Sequence, residues 1–266
     1  LSLPPILLLG GGRMGAAMLT GWRKQGLAPS VVIDPAPGAA SLAGDGVQVV
    51  ASADAVPAGF TPAVIVLAVK PQMADAAVPG IAPFAGSALV VSIMAGRTIA
   101  GVQALTGAAA VVRAMPNTPA AIGRGFTAAF AAPGVSVAQR DLCGALLTAI
   151  GEVAWVEAES QIDAVTAVSG GGPAYVFLLT ELLAAAAIEQ GLPPELAQRM
   201  ARATVAGSGA LLDATDDDPA AMRRAVTSPA GTTERALAVL MAPDCWPDAM
   251  SRAIAAATAR SRALSQ

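Results

Sequence analysis

The chain has 266 residues, enough for one large domain or two modest ones with a sizeable core. A net charge of -3 and the lack of any run of Lys or Arg exclude the electrostatic footprint of a nucleic-acid or anionic-membrane binder. With only Cys143 and Cys245, far apart, and no histidine, neither a disulfide framework nor a metal site is expected. Reduced thiols and a cytoplasmic location follow as expectations.

In chain order, LSLPPILLLGGG opens without a charged leader and cleavage signal and runs directly into a motif. Residues 6 to 9 read as a strand, and Gly10, Gly12 and Gly15 follow in G-x-G-x-x-G spacing at the start of a helix. In a dinucleotide-binding turn Gly10 permits the tight bend, Gly12 lets the pyrophosphate approach the backbone, and Gly15 lets the helix pack close to the strand. The next strand ends at Asp34, about 20 residues past the glycines, where a carboxylate accepts from the adenosine ribose; a turn aspartate before Pro35 is the other reading. A carboxylate there repels a 2′-phosphate, and residues 35 to 50 hold no Lys or Arg, which leans toward NADH over NADPH. Arg13, beside the glycines, suits either a pyrophosphate or a 2′-phosphate, so the lean is slight. Further β-rich runs at 64 to 69, 88 to 93 and 110 to 115 alternate with helical stretches, the pattern of a parallel sheet wrapped by helices up to residue 158.

From residue 159 the strand signals fade. Alanine-rich segments are divided by GLPP (191–194), DDDP (216–219), TSPAGTT (227–233) and APDCWP (242–247), which are helix stops and starts. The expected fold is therefore α/β: a Rossmann-type dinucleotide-binding domain over 1–158, then an all-α helical domain over 159–266. The stretch AYVFLLTELLAAAAI (174–188) is interrupted by Thr180 and Glu181, is too short to cross a bilayer and reads as a buried helix. A hydrophobic fraction of 55% suggests apolar surface buried between subunits. In SGGGPAYVF, Ser169 can cap and Pro173 can start the long helix. TSPAGTT leads into ERALAVLM, so its hydroxyls precede a helix N-terminus, either as an ordinary cap or as an anion site.

The acid–base inventory is short: no histidine, one tyrosine (Tyr175), and two lysines, Lys24 and Lys70, both in the first half. Ketone reduction commonly uses His, Tyr with Lys, or Lys to move the hydroxyl proton. Tyr175 is followed four positions on by Leu179, so a Tyr-x-x-x-Lys pair is missing. An imine nitrogen is far more basic than a carbonyl oxygen, so a hydroxyl donor suffices, and Ser228, Thr232 and Thr233 supply hydroxyls.

The blocks GGGRMG (10–15), AVKPQ (68–72), SIMAG (92–96), RAMPNTP (113–119), DAVTAVSGGGPAYVF (163–177) and TSPAGTT (227–233), in this order, resemble the pyrroline-5-carboxylate reductase family over nearly the whole chain. The resemblance implies reduction of the cyclic imine 1-pyrroline-5-carboxylate to L-proline with NAD(P)H, the last step of proline biosynthesis. It places Arg13 and Met14 in the cofactor loop, Ala68, Val69, Lys70 and Pro71 along the dinucleotide, and Ala95 and Asn117 near the nicotinamide. Lys70 as a plain surface lysine is the alternative. Ser228, Gly231 and Thr232 would hold the substrate carboxylate, Thr233 would reach the imine nitrogen, and Ser169 would contact substrate. The family relationship also implies a homodimer through the helical domain, which larger assemblies of dimers can extend.

Some positions depart from the family pattern. Gly171 stands where serine is usual, Arg13 where asparagine is common, Met94 where a small residue is usual, and Ala230 where glycine is usual. A positive φ at Ala230 would strain the loop, and Met94 beside the nicotinamide would narrow the pocket. Two rival readings are a β-hydroxyacid dehydrogenase and a silent dinucleotide-binding regulator. The first needs a lysine in the helical half, where none occurs; the second has no use for TSPAGTT.

Overall fold

Short runs of consecutive apolar residues suit strands covered on both faces, and the computed structural model, which describes residues 2–264, forms them there. Strands β1 (Ile6–Leu9), β2 (Ser30–Ile33), β4 (Val64–Leu67), β5 (Leu89–Ser92) and β6 (Val111–Met115) are buried along their whole length. With β3 (Val47–Val50) they make a parallel sheet in the order β3-β2-β1-β4-β5-β6, the doubly wound dinucleotide-binding order. Strand β7 (Gly125–Ala131) returns antiparallel beside β6, and β8 (Gly151–Trp155) runs parallel to β7.

Alternation along β1 sorts the core onto two faces. Ile6 and Leu8 face Met18, Leu19 and Trp22 of α1 (Arg13–Lys24) and Cys143, Leu146 and Leu147 of α4 (Val137–Thr148). Leu7 and Leu9 face Ala74 of α2 (Ala74–Ala77) and Ile99 and Val102 of α3 (Ile99–Thr106). Strands β3, β7 and β8 carry weak signals in the sequence: β3 is half exposed at the sheet edge, β7 is alanine-rich, and β8 is entered through glycine. Pairing with neighbours, rather than local propensity, makes them strands.

The chain forms two compact units, the second being Gly171–Ala256, while the first runs through Gly170 and takes the chain back from Ala257. The expected boundary at 158 follows the change in secondary structure. Packing keeps α5 (Gln161–Val165) with the sheet, because Ile162 is fully buried in a cluster with Met115 and Ala128 and Asp163 pairs with Arg113 of β6. The second unit is helical, with α6 (Gly172–Glu189), α7 (Pro194–Asp213), α8 (Pro219–Ala225), α9 (Thr232–Leu240) and the first part of α10 (Trp246–Leu264). Prolines start α7 and α8, and the Asp218 carboxylate caps α8 by accepting from the amides of Ala220 and Ala221.

Helix α6 corrects one expectation. It is not buried within the single chain: none of its residues is, and Phe177 is 62% exposed. Nor is the helix too short, because α5, a π-helical turn at Thr166–Gly170 and α6 run on as one 29-residue segment, long and apolar enough by composition to cross a membrane.

Candidate functional site

The glycine turn ends β1 and opens α1. Gly10 has φ +101°, and a Cβ there would lie 2.7 Å from the Ala68 carbonyl oxygen. A Cβ on Gly15 would lie 2.1 Å from the Gly10 carbonyl oxygen, so helix and strand approach closely. A Cβ on Gly12 would meet nothing within 4 Å, which leaves open the space a pyrophosphate needs. Gly10 and Gly12 border a cleft of about 680 Å³, ligand-sized, at the carboxyl ends of β1, β2 and β4. Asp34, Ala68, Val69 and Lys70 also line it.

Asp34 serves the turn as well as the cleft: its Oδ2 accepts from the Gly11 amide at 2.7 Å and its Oδ1 from the Ala36 amide at 2.8 Å. These bonds aim the carboxylate and tie the end of β2 to the glycine loop. Arg13 and Met14 begin α1 outside the cleft lining; Arg13 is exposed, and Met14 packs on the core. Ser52 and Asp54 line the cleft and went unrecognised in the sequence, because they follow β3, whose strand signal is weak.

Pro71, Ala95 and Asn117 lie just past β4, β5 and β6, outside the cleft lining but at the same carboxyl edge of the sheet. Arg97 joins two of these loops, donating to the Pro71 carbonyl at 3.0 Å and pairing with both carboxylate oxygens of Asp75 at 2.9 and 2.7 Å. The Arg97 hydrogen bond holds the Asp75 carboxyl below its ordinary range. The pair therefore persists at neutral pH and is lost only as acid titrates that carboxylate. Met94 is 1% exposed and packs in the core cluster with Ile99 and Val102.

Asn117 is fixed at both ends of its amide: Oδ1 accepts from the Phe126 backbone at 2.9 Å and Nδ2 donates to Ser169 Oγ at 3.1 Å. Ser169 thus sits in the π-helical turn and does not cap α6, which starts after Gly171 without a side-chain cap. Such turns recur at functional sites, and no periodicity in the sequence signals this one.

In the second unit the Gly231 amide donates to the Ser228 carbonyl at 3.0 Å, closing a turn with Pro229 and Ala230 at its centre. Ala230 has φ +59°, a position that favours glycine. The Glu234 carboxylate accepts from the Ala230 amide at 2.9 Å and braces the turn. Gly231 is the N-cap of α9 without a side-chain cap, and Thr232 and Thr233 are its first residues. Both threonines and Ser228 are exposed in the single chain, so first-turn amides and hydroxyls gather where the helix dipole favours an anion. Replacing Ala230 by glycine is expected to raise stability by about 1 kcal/mol in chemical denaturation, because the left-handed conformation costs an L-residue that much; unchanged or lower stability would show that the turn carries no strain.

Among remaining reactive groups, both thiols are free, and burial pushes the Cys143 thiol up to about 12, leaving it inert.

A doubly wound sheet with a glycine turn over a ligand-sized cleft, followed by a helical unit with a hydroxyl-lined helix start, defines a dinucleotide-dependent oxidoreductase. The sequence is 40% identical to the pyrroline-5-carboxylate reductase of Pseudomonas aeruginosa, over all of this chain and 98% of that protein. The chain belongs to the pyrroline-5-carboxylate reductase family. Residues 159–264 match the family model described as pyrroline-5-carboxylate reductase dimerisation, and residues 5–96 match that of NADP oxidoreductase coenzyme F420-dependent. Among solved structures, the pyrroline-5-carboxylate reductase of Coxiella burnetii is similar with a TM-score of 0.89 and 32% identity, over 99% of each chain. The pyrroline carboxylate reductase of Plasmodium falciparum with NADP bound is similar with a TM-score of 0.85 and 25% identity, over all of each chain.

Proposed function

We propose that this protein reduces 1-pyrroline-5-carboxylate to L-proline, with NAD(P)H as the hydride donor. The observation that carries this reading is the exposed hydroxyl cluster at the start of α9, in a chain with a dinucleotide cleft, no histidine and no lysine after Lys70. The same lack of a late lysine speaks against β-hydroxyacid oxidation.

NAD(P)H supplies a hydride to the imine carbon. Gly10, Gly12 and the start of α1 hold its pyrophosphate, Asp34 takes the adenosine ribose, and Ala68, Val69, Lys70 and Pro71 run along it, with Ala95 and Asn117 toward the nicotinamide. The α9 amides and the hydroxyls of Ser228 and Thr232 hold the substrate carboxylate, with Gly231 leaving the approach open and Ser169 completing the contacts. Thr233 Oγ1 orients or protonates the imine nitrogen, which gains the proton as the carbon gains the hydride. With so few titratable groups, most of the rate comes from alignment of donor and acceptor.

The exposed apolar side chains of α6, including Phe177 and Leu182, are covered by a second copy in a homodimer, and dimers can assemble further. A cytoplasmic location belongs to the same reading, supported by the free thiols.

Oxidation of NADH and of NADPH, each measured with 1-pyrroline-5-carboxylate and with proline identified as product, tests the proposal. Turnover is expected with at least one cofactor, and none with either would sink it. The carboxylates of Asp34 and Asp54 outnumber Lys70, the one cation on the cleft among the described residues, and with no Lys or Arg at 35–50 the balance leans toward NADH. We expect its kcat/KM to exceed that of NADPH by about tenfold, an energy gap of about 1.4 kcal/mol.

A further inference from the structure

A largely buried polar chain, with Glu159 its partly exposed member, lies beneath the carboxyl edge of the sheet. Arg113 on β6, only 2% exposed, donates from Nη1 to Glu159 Oε1 and from Nη2 to Asp163 Oδ1, each at 3.2 Å. Asp163 Oδ1 also accepts from the Ser261 hydroxyl on α10 at 2.8 Å. At the other end Glu159 Oε1 accepts at 2.8 Å from the amide of Ile99, the first residue of α3. The loop from β5 to α3, which carries Ala95, is thereby joined to the last turns of α10. A second contact meets the same loop: Gly96 has φ +72°, and a Cβ there would come within 2.6 Å of Leu264 Cβ and 3.0 Å of its carbonyl oxygen. These residues all belong to the first compact unit.

Burying Arg113 with Asp163, and partly with Glu159, is a poor route to stability, since desolvation consumes most of what their attraction returns. What such a network does supply is geometry. Its bonds fix the start of α3, and Leu264 covers Gly96, so one short loop is held at its middle and at its α3 end.

We propose that the last turns of α10 lock the loop following β5 in the geometry hydride transfer needs, making Ser261 and Leu264 positioning residues for the reaction. This rests on the reading that Ala95 borders the nicotinamide. The residues that grip the rest of the dinucleotide lie elsewhere, on the cleft at β1, β2 and β4. Disturbing the lock should thus lower kcat while leaving dinucleotide affinity intact.

The test compares steady-state kinetics, dinucleotide binding and thermal melting for Ser261→Ala, Ala95→Leu and a control, Thr106→Val. Thr106 is also a buried hydroxyl at the far end of α3, donating to the Val102 carbonyl and accepting from the Ala108 amide, and its loss removes both bonds without touching the lock. Ser261→Ala is expected to lower kcat about tenfold, within the roughly 100-fold that a misplacement of about 1 Å can cost. Its dinucleotide Kd should stay within about twofold, and Thr106→Val should keep wild-type kcat at a similar loss of melting temperature. A chain ending at Ala263, with the Ser261–Asp163 bond intact, should show the same selective drop and carries the test if Ser261→Ala does not fold. Loss of turnover in Ala95→Leu with wild-type kcat in Ser261→Ala, or in the shortened chain where it stands in, overturns the lock alone. Wild-type turnover in Ala95→Leu overturns the placement of the loop at the nicotinamide and the lock with it. Equal kcat losses in Ser261→Ala and Thr106→Val reduce the network to a stabilising role and also overturn the proposal.

Discussion

Replacing Thr233 with valine is expected to lower kcat with 1-pyrroline-5-carboxylate by about 100-fold, the low end of what one donor aimed at a reacting group contributes. The low end applies because the imine nitrogen is basic enough to draw a proton with modest help. Valine keeps the shape and removes only the hydroxyl. Thr233 is exposed in the second position of α9, and no side chain caps that helix, so the hydroxyl is not needed to hold the turn. Stability should change by no more than about 0.5 kcal/mol, as for exposed substitutions generally. Dinucleotide affinity should be unchanged. Steady-state kinetics together with a melting curve check this, and full activity in the valine variant would move the role to Thr232 or to solvent.

The second large effect is expected at Gly12. A methyl there meets no protein atom within 4 Å, so the fold accommodates it, and its φ of -64° suits alanine. The methyl would instead occupy the space through which a pyrophosphate reaches the first amides of α1. Losing one charge-assisted hydrogen bond costs about 2 kcal/mol, which is roughly a 30-fold weaker Kd for the dinucleotide. Gly12 is also the N-cap of α1, where alanine is less favourable, so a stability loss of up to about 1 kcal/mol accompanies it. Gly15→Ala should behave in the opposite sense, losing the folded state because its Cβ would overlap the Gly10 carbonyl at 2.1 Å. Calorimetric titration of NADH and NADPH with parallel denaturation separates the two. Unchanged affinity in Gly12→Ala would remove the pyrophosphate from this turn.

Much of the first unit was legible in the sequence because its signals are local. Four apolar residues before a glycine turn report a buried strand, as at Ile6–Leu9, and an aspartate closing the next strand lies within hydrogen-bonding reach of that turn. The proline and hydroxyls of TSPAGTT likewise mark the start of α9, and the substitution of alanine for glycine at residue 230 pointed to the strained φ. Strands β3, β7 and β8 were not legible, since they owe their conformation to partners distant in sequence. Ser52 and Asp54 stayed hidden for the same reason.

By itself, then, the sequence determined the dinucleotide-binding class, the family, the order of sheet then helices, and the poverty of acid–base groups that favours an imine. Local periodicity, glycine spacing and composition carry the class, the order and the acid–base inventory directly, while the family rests on the resemblance of six ordered motif blocks. Only the tertiary structure decided that Met94 belongs to the core, that Ser169 turns toward Asn117 instead of capping a helix, that α6 leaves its apolar side chains exposed in the single chain, and that Arg113, Glu159, Asp163 and Ser261 form one hydrogen-bonded chain. Each depends on which side chains meet across long separations, where burial cost and hydrogen-bond satisfaction, not local propensity, select the partner.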